Sequence, residues 1–186
     1  MLLNTPSVKI GWRARSFSLI DPSSSESLSF EEVKGKNGTL VAFICNHCPY
    51  VIAIVTRLVE DAKVLQSNGI GVVAINSNDY ENIAADSPAN MIAFSKRHRF
   101  SFPYLVDRDQ SVAKAYGAVC TPDFFGINED GVLQYRGRLD DVGMRDAESR
   151  TPELLNAMLE IKRSGNGPVD QLSSMGCSIK WKKQIA

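Results

Sequence analysis

Two unbroken apolar runs stand out along the chain, Leu40-Val-Ala-Phe-Ile44 after Thr39 and Ile70-Gly-Val-Val-Ala-Ile75. Both have strand length and are rich in β-branched residues, the pattern of strands buried on two faces. Between them, Val51, Ile52, Val55, Leu58, Val59, Ala62 and Leu65 recur at three and four residues, which predicts an amphipathic helix from Pro49 to about residue 66. Ser67-Asn68-Gly69 stops that helix. Strand, helix and strand in this order make a βαβ unit with parallel strands and a right-handed crossover.

Around this unit the signals are shorter. Arg15–Ile20 alternates apolar and polar residues as a short strand does, Asp21-Pro-Ser-Ser-Ser is a turn, and Phe30-Glu-Glu-Val33 is a helical turn. Asp86-Ser87-Pro88 opens a helix running to about His98, since proline suits the first helical position, where its missing N–H costs nothing. Pro103–Val106 predicts a strand and Gln110–Tyr116 a helix closed by Gly117. Asp123–Ile127 and Val132–Arg136 flank Asn128-Glu-Asp130-Gly131, a hairpin signal. A last helix follows Thr151-Pro152, with Leu154, Leu155, Met158, Leu159 and Ile161 inward and Gly165 at its end. The tail shows no period. The expected architecture is α/β: a central mixed β-sheet with an antiparallel edge and helices on both faces.

The length, 186 residues, favours one domain spanning 1–186, with residues 166–186 as a C-terminal tail. With 44% hydrophobic and 23% charged residues the chain has an ordinary globular composition. Its 21 basic and 21 acidic residues cancel, leaving no electrostatic footprint for nucleic acid or an anionic membrane. The first residues lack the charged and apolar regions of a secretory signal, so a cytoplasmic location is the expectation. Thiols are kept reduced there, and four cysteines point to redox chemistry, metal binding or plain packing rather than a disulfide framework.

The chemistry concentrates where the first buried strand meets its helix, at Cys45-Asn46-His47-Cys48-Pro49-Tyr50. Cys48 falls at the helix N-terminus. Unpaired N–H groups and the positive end of the helix dipole favour a thiolate there, which is the form that attacks disulfides and peroxides. Cys45 is either its resolving partner or an apolar strand-end residue. His47 either acts as a general base or hydrogen-bonds the thiolate, or merely covers the site. His98, among Lys96, Arg97 and Arg99, reads as part of a solvated basic face. Cys120 reads as either a third redox thiol or a packed core residue, with packing favoured. For Cys177 both readings, distant resolving thiol and inert residue, stay open.

Four stretches resemble the alkyl hydroperoxide reductase and thiol-specific antioxidant branch of the thioredoxin-like superfamily, the redoxins. They are Phe43–Tyr50, Ala74–Asp79, Gly117-Ala-Val-Cys-Thr121-Pro122-Asp-Phe-Phe125 and Gly176-Cys-Ser-Ile-Lys-Trp181. The resemblance implies a thioredoxin-like fold, Cys48 as nucleophile, Cys45 as the second thiol, and a cis peptide at Thr121-Pro122. Its Thr121 backbone would then face Cys48 and pair with a substrate chain. Against thioredoxins, His47 stands for the tryptophan before the nucleophile and Val51 for the later cysteine. Against peroxiredoxins, Cys45 stands for the threonine that orients the peroxide and Thr121 for the activating arginine.

The expected function is a thiol-dependent oxidoreductase with peroxiredoxin-like antioxidant activity. A peroxide or disulfide substrate is reduced at Cys48, Cys45 resolves, and an external dithiol such as a thioredoxin-type protein restores both. His47, Thr121 and Pro122 form the substrate site, and no cofactor or metal is required. The alternatives are a metal-binding protein, in which Cys45, His47, Cys48 and a later cysteine supply soft ligands, and a redox-inert thioredoxin-fold scaffold for partner recognition.

Overall fold

The computed structural model describes residues 1–6 and 10–183; residues 7–9 and the last three residues of the expected tail, 184–186, lie outside the described part. Its centre is a seven-stranded mixed sheet of β2 (Ser18–Ile20), β3 (Ser27–Ser29), β4 (Thr39–Phe43), β5 (Gly71–Asn76), β6 (Tyr104–Val106), β8 (Asp123–Ile127) and β9 (Leu133–Tyr135). The spatial order is β3-β2-β6-β5-β4-β8-β9. β4 and β5 pair in parallel with Ala42 beside Ala74, and β8 lies antiparallel on the other side of β4 with Phe124 beside Ala42. All five residues of β4 and of β8 are buried. The hairpin between β8 and β9 turns at Asn128–Gly131, where Gly131 takes φ +77°.

Helices cover both faces, as the patterning implies. On one side lie α2 (Pro49–Ser67), α3 (Pro88–His98) and α5 (Glu153–Ser164); on the other, α1 (Phe30–Val33) and α4 (Ser111–Tyr116). The face α2 presents to the sheet carries Val51, Ile54, Val55, Leu58, Val59, Ala62 and Leu65. Burying each large aliphatic side chain there contributes about 1.5–3 kcal/mol. Ile52 is a correction, since it is half exposed and Ile54 takes the inward position. In α5 the inward residue is Ala157 in place of Leu159, which is only partly covered. His98 is also corrected: its ring stacks on Phe94 with centroids 4.4 Å apart, half-buried at the end of α3.

The tail supplies what its lack of period conceals. β10 (Met175–Ser178) lies between β1 (Leu2–Asn4) and β7 (Cys120–Thr121) in a separate three-stranded antiparallel sheet. β7 leads into β8 through a cis Thr121–Pro122 peptide, so the chain passes from the small sheet to the large one at that proline. A buried ion pair fastens this junction: Arg136 Nη2 is 2.7 Å from Asp123 Oδ2, and the same guanidinium donates to the Gly117 carbonyl.

Candidate active site

β4 ends at Phe43, and two residues later Cys45 sits at the C-terminal edge of the sheet, buried. A two-residue bend, Asn46 and His47, brings the chain to Cys48, the N-cap of α2, in extended conformation at φ −70°, ψ 123°. Pro49 occupies the first helical position, where no intrahelical N–H partner is lost. The Cys48 Sγ lies 3.1 Å from the Thr121 carbonyl oxygen, and the Cys45 Sγ is 3.2 Å from the Thr121 hydroxyl. Both cysteines therefore converge on one residue of the cis-proline segment.

The electrostatics separate the two thiols. Donation from the Cys45 thiol holds the Cys48 pKa well below the usual cysteine range. Burial opposes this, and the Cys177 thiol and the Cys177 and Val51 amides support it. Cys45 is raised, first because it donates to Cys48, then by burial and by the nearby Asp86 carboxylate. In the dithiol form Cys48 S–H can donate to Thr121 O; on ionisation that donor is gone and the sulfur becomes the acceptor of its neighbours. Burial pushes Cys120 up to about 12, and its Sγ lies 3.7 Å from the Pro122 carbonyl in the packed interior.

His47 is turned elsewhere. Its Nδ1 lies 2.9 Å from Asp86 Oδ2, off the axis of a good hydrogen bond, and no hydrogen bond joins it to Cys45 or Cys48 among the described residues. Its ring, about a third exposed, covers the bend and faces a carboxylate. Asp86, fully buried, organises that bend by accepting from the Asn46 amide at 2.8 Å and from the Asn78 side chain at 2.7 Å. Tyr104 completes it with a hydroxyl 3.0 Å from Asn46 Oδ1; burial drives the Tyr104 pKa well up. Sequence reasoning passed over Asp86 and Tyr104. Asp86 was legible only as part of a helix start; Ser87 alone does the capping, and Asp86 points back toward the cysteine turn.

Cys45 Sγ, a His47 ring nitrogen and an Asp86 oxygen lie within 4.8 Å of one another. Both Asp86 oxygens already accept amide hydrogens and the Cys45 sulfur lies against the Thr121 hydroxyl, while the buried His47 Nδ1 has no hydrogen-bond partner among the described residues. The two remaining cysteines, Cys120 and Cys177, stand on other strands.

Thr121 differs from the sequence expectation in one respect. Its backbone, expected to be an edge for a substrate chain, is already paired with β10, with Cys177 opposite Thr121. Pro122 instead walls a cavity of about 300 Å³ with Tyr50, Ile54, Leu139, Ser174 and Met175. This mostly apolar hollow begins two residues from Cys48 along α2, and Cys48 is not itself part of its wall.

A cysteine capping a helix beside a second thiol and a cis-proline defines a sequence family as well as a geometry. The Redoxin family model matches residues 9–153. The chain is a member of the redoxin family. Across its whole length this redoxin superposes on an uncharacterized conserved protein from Geobacillus kaustophilus with a TM-score of 0.93 and 39% identity, covering 98% of that chain. The thioredoxin domain of a thiol-disulfide oxidoreductase from Bacteroides vulgatus shares the fold, with a TM-score of 0.63 and 17% identity over 83% of this redoxin and 99% of that domain. Thiol-disulfide oxidoreductase ResA from Halalkalibacterium halodurans is 28% identical over 108 residues, 58% of this redoxin and 57% of the relative. The matched part is thus little more than half of ResA's length.

Proposed function

We propose that this redoxin is a thiol–disulfide oxidoreductase with Cys48 as nucleophile and Cys45 as resolving thiol. The observation that carries the reading is the Cys48 sulfur at the N-terminus of α2, held toward the thiolate by the adjacent Cys45 thiol. In the first step the Cys48 thiolate attacks one sulfur of a substrate disulfide, the S–S bond breaks, and one substrate thiolate leaves and takes a proton. Cys45, after giving up its proton, attacks Cys48 Sγ and displaces the second substrate thiol. The substrate gains two electrons, and Cys45 and Cys48 end as a disulfide. An external dithiol reduces that bond and is itself oxidised. The resemblance to a protein named as a thiol-disulfide oxidoreductase supports this choice of reaction.

A peroxide would meet the same thiolate and give a sulfenic acid that condenses with Cys45. The surroundings favour a disulfide. The Arg136 guanidinium is spent on Asp123 and Gly117, and the Thr121 hydroxyl faces Cys45.

Thiol counting tests the reading. Reduced protein treated with one equivalent of oxidised glutathione should lose two thiols per chain, reversibly, and lose them faster than with one equivalent of hydrogen peroxide. Cys48→Ser should abolish the loss. Loss that survives Cys48→Ser but not Cys45→Ser would reverse the roles, and an unchanged thiol count in the wild-type protein would leave an inert scaffold.

A further inference from the structure

β10 is seated on the strand that leads into the cis-proline, and the sequence is built for that contact. Gly176 is in the way of nothing only because it has no side chain: a Cβ there would fall 2.0 Å from the Thr121 carbonyl oxygen and 3.0 Å from Pro122 Cδ. The next residue, Cys177, stands opposite Thr121, whose carbonyl is the group that the Cys48 sulfur touches. The tail is fastened on both sides of this point. Ser174 Oγ donates to the Pro122 carbonyl at 2.9 Å, the Ile179 amide to the Val119 carbonyl at 3.0 Å, and the Lys180 amide to Asn78 Oδ1 at 2.8 Å. With β10 in place, Cys177 packs against the apolar cluster that contains Cys45 and Cys48, and its thiol and amide favour the Cys48 thiolate. Cys45 and Cys48 are sealed from solvent, at 1% and 0% exposure, whereas Cys177 is only partly covered.

We propose that Cys177 is a third redox thiol of this site, closing a disulfide with Cys48 and presenting it to the external dithiol at the protein surface. The inference rests on Cys48 being the nucleophile, as argued above. In the Cys48–substrate mixed disulfide, Cys177 loses its proton and attacks Cys48 Sγ; the Cys48–substrate bond breaks and the departing substrate thiolate takes up a proton. Two cysteines are oxidised and one substrate disulfide is reduced. For return, a thiolate of the external dithiol attacks Cys177 Sγ, the accessible sulfur, and Cys48 leaves as a thiolate; a thiol that ionises easily is the faster leaving group. The donor's second thiol then displaces Cys177, which takes a proton, and the donor ends as a disulfide. A Cys45–Cys48 bond presents its sulfurs less openly, so the donor reduces it more slowly. Hence the two bridges differ in purpose: Cys45 shelters the oxidised centre and Cys177 gives reductant access to it.

The test is disulfide mapping on the full chain. Reduced protein is mixed with one equivalent of oxidised glutathione, quenched with N-ethylmaleimide and digested without reductant. A Cys48–Cys177 bridged peptide is expected in the wild-type protein and should dominate in Cys45→Ser. Gly176→Ala, which keeps all four thiols, should lower the yield of that bridge about tenfold, and reduction of oxidised Cys177→Ser by dithiothreitol should be about tenfold slower than wild type, the loss expected when the accessible sulfur is removed. Cys45→Ser that holds glutathione on Cys48 while Cys177 is alkylated would overturn the proposal and leave the nucleophile assignment standing. Failure of a Cys45→Ser, Cys177→Ser double variant to take up any glutathione at Cys48 would overturn both.

Discussion

The Cys48 sulfur is held toward the thiolate by groups that can be removed one at a time. Hydrogen bonds to a charged group contribute about 1.5–3 kcal/mol, and one pH unit corresponds to about 1.4 kcal/mol. Replacing the main donor with Cys45→Ala should therefore move the pH profile of Cys48 alkylation upward by about one to two pH units. The sign follows from the direction of the shift: the donor stabilises the thiolate, so its loss returns Cys48 toward an ordinary cysteine. The profile is read from the pH dependence of iodoacetamide labelling by peptide mass, with Cys120 unlabelled throughout because burial keeps it protonated. A profile that does not move would mean that the Cys177 and Val51 groups and the helix terminus set the ionisation without Cys45. Asp86 acts on the same turn from behind. Asp86→Ala strands the Asn46 amide and the Asn78 side chain without their buried acceptor, at a cost of about 1–3 kcal/mol for each group, and should lower the unfolding free energy measured in urea by that sum. Asp86→Asn, which keeps an oxygen acceptor, should lose less.

Among the elements, those that bury whole faces were legible and those held by backbone contacts were not. β4 and α2 announce themselves because every residue of the one is buried and the apolar stripe of the other follows the helical period. The stripe misleads at Ile52, one step around the helix from Val51. It also hides Asp61, which sits buried on α2 because Arg150 pairs with it. β1 and β10 are three and four residues long and largely uncovered, so their placement depends on ladder hydrogen bonds and on a glycine that permits close approach, neither of which leaves a hydrophobic pattern. The cysteine pair was visible from its position before Pro49, whereas the contribution of Cys177 depends on that unpatterned strand. Gly126 makes the same point within the main sheet. A Cβ on it would fall 2.6 Å from Met158 Sδ and 2.9 Å from Tyr135 Cβ, where α5 crosses β8 and β9. Gly126→Ala should destabilise the fold by about 1–3 kcal/mol through overpacking, measured by urea unfolding. A neutral result would show that α5 can slide to make room.

For the molecule as a whole, the Arg136–Asp123 pair ties the start of β8 to the end of β9 just behind the cis-proline. Burial alone pushes the Asp123 pKa up and Arg136 opposes the rise, so the carboxylate depends on its partner. Arg136→Leu leaves a buried acid unpaired and should cost about 3–5 kcal/mol of unfolding free energy, more than the charge-free double replacement of both residues. Equal losses for the single and double variants would show that the pair contributes packing rather than charge balance. Both arms are measured by urea unfolding at neutral pH.

Cys48 and the strand packed near it come from distant parts of the chain: Cys48 follows β4 at residues 39–43, while β10 occupies residues 175–178. Synthesis runs from the N-terminus, so a growing polypeptide carries Cys48 long before the strand that packs near it exists. Late, long-range closure of this kind exposes an intermediate to side reactions. The nascent protein is thus open to mispaired thiols at Cys48 during the interval before its final ribbon is laid down.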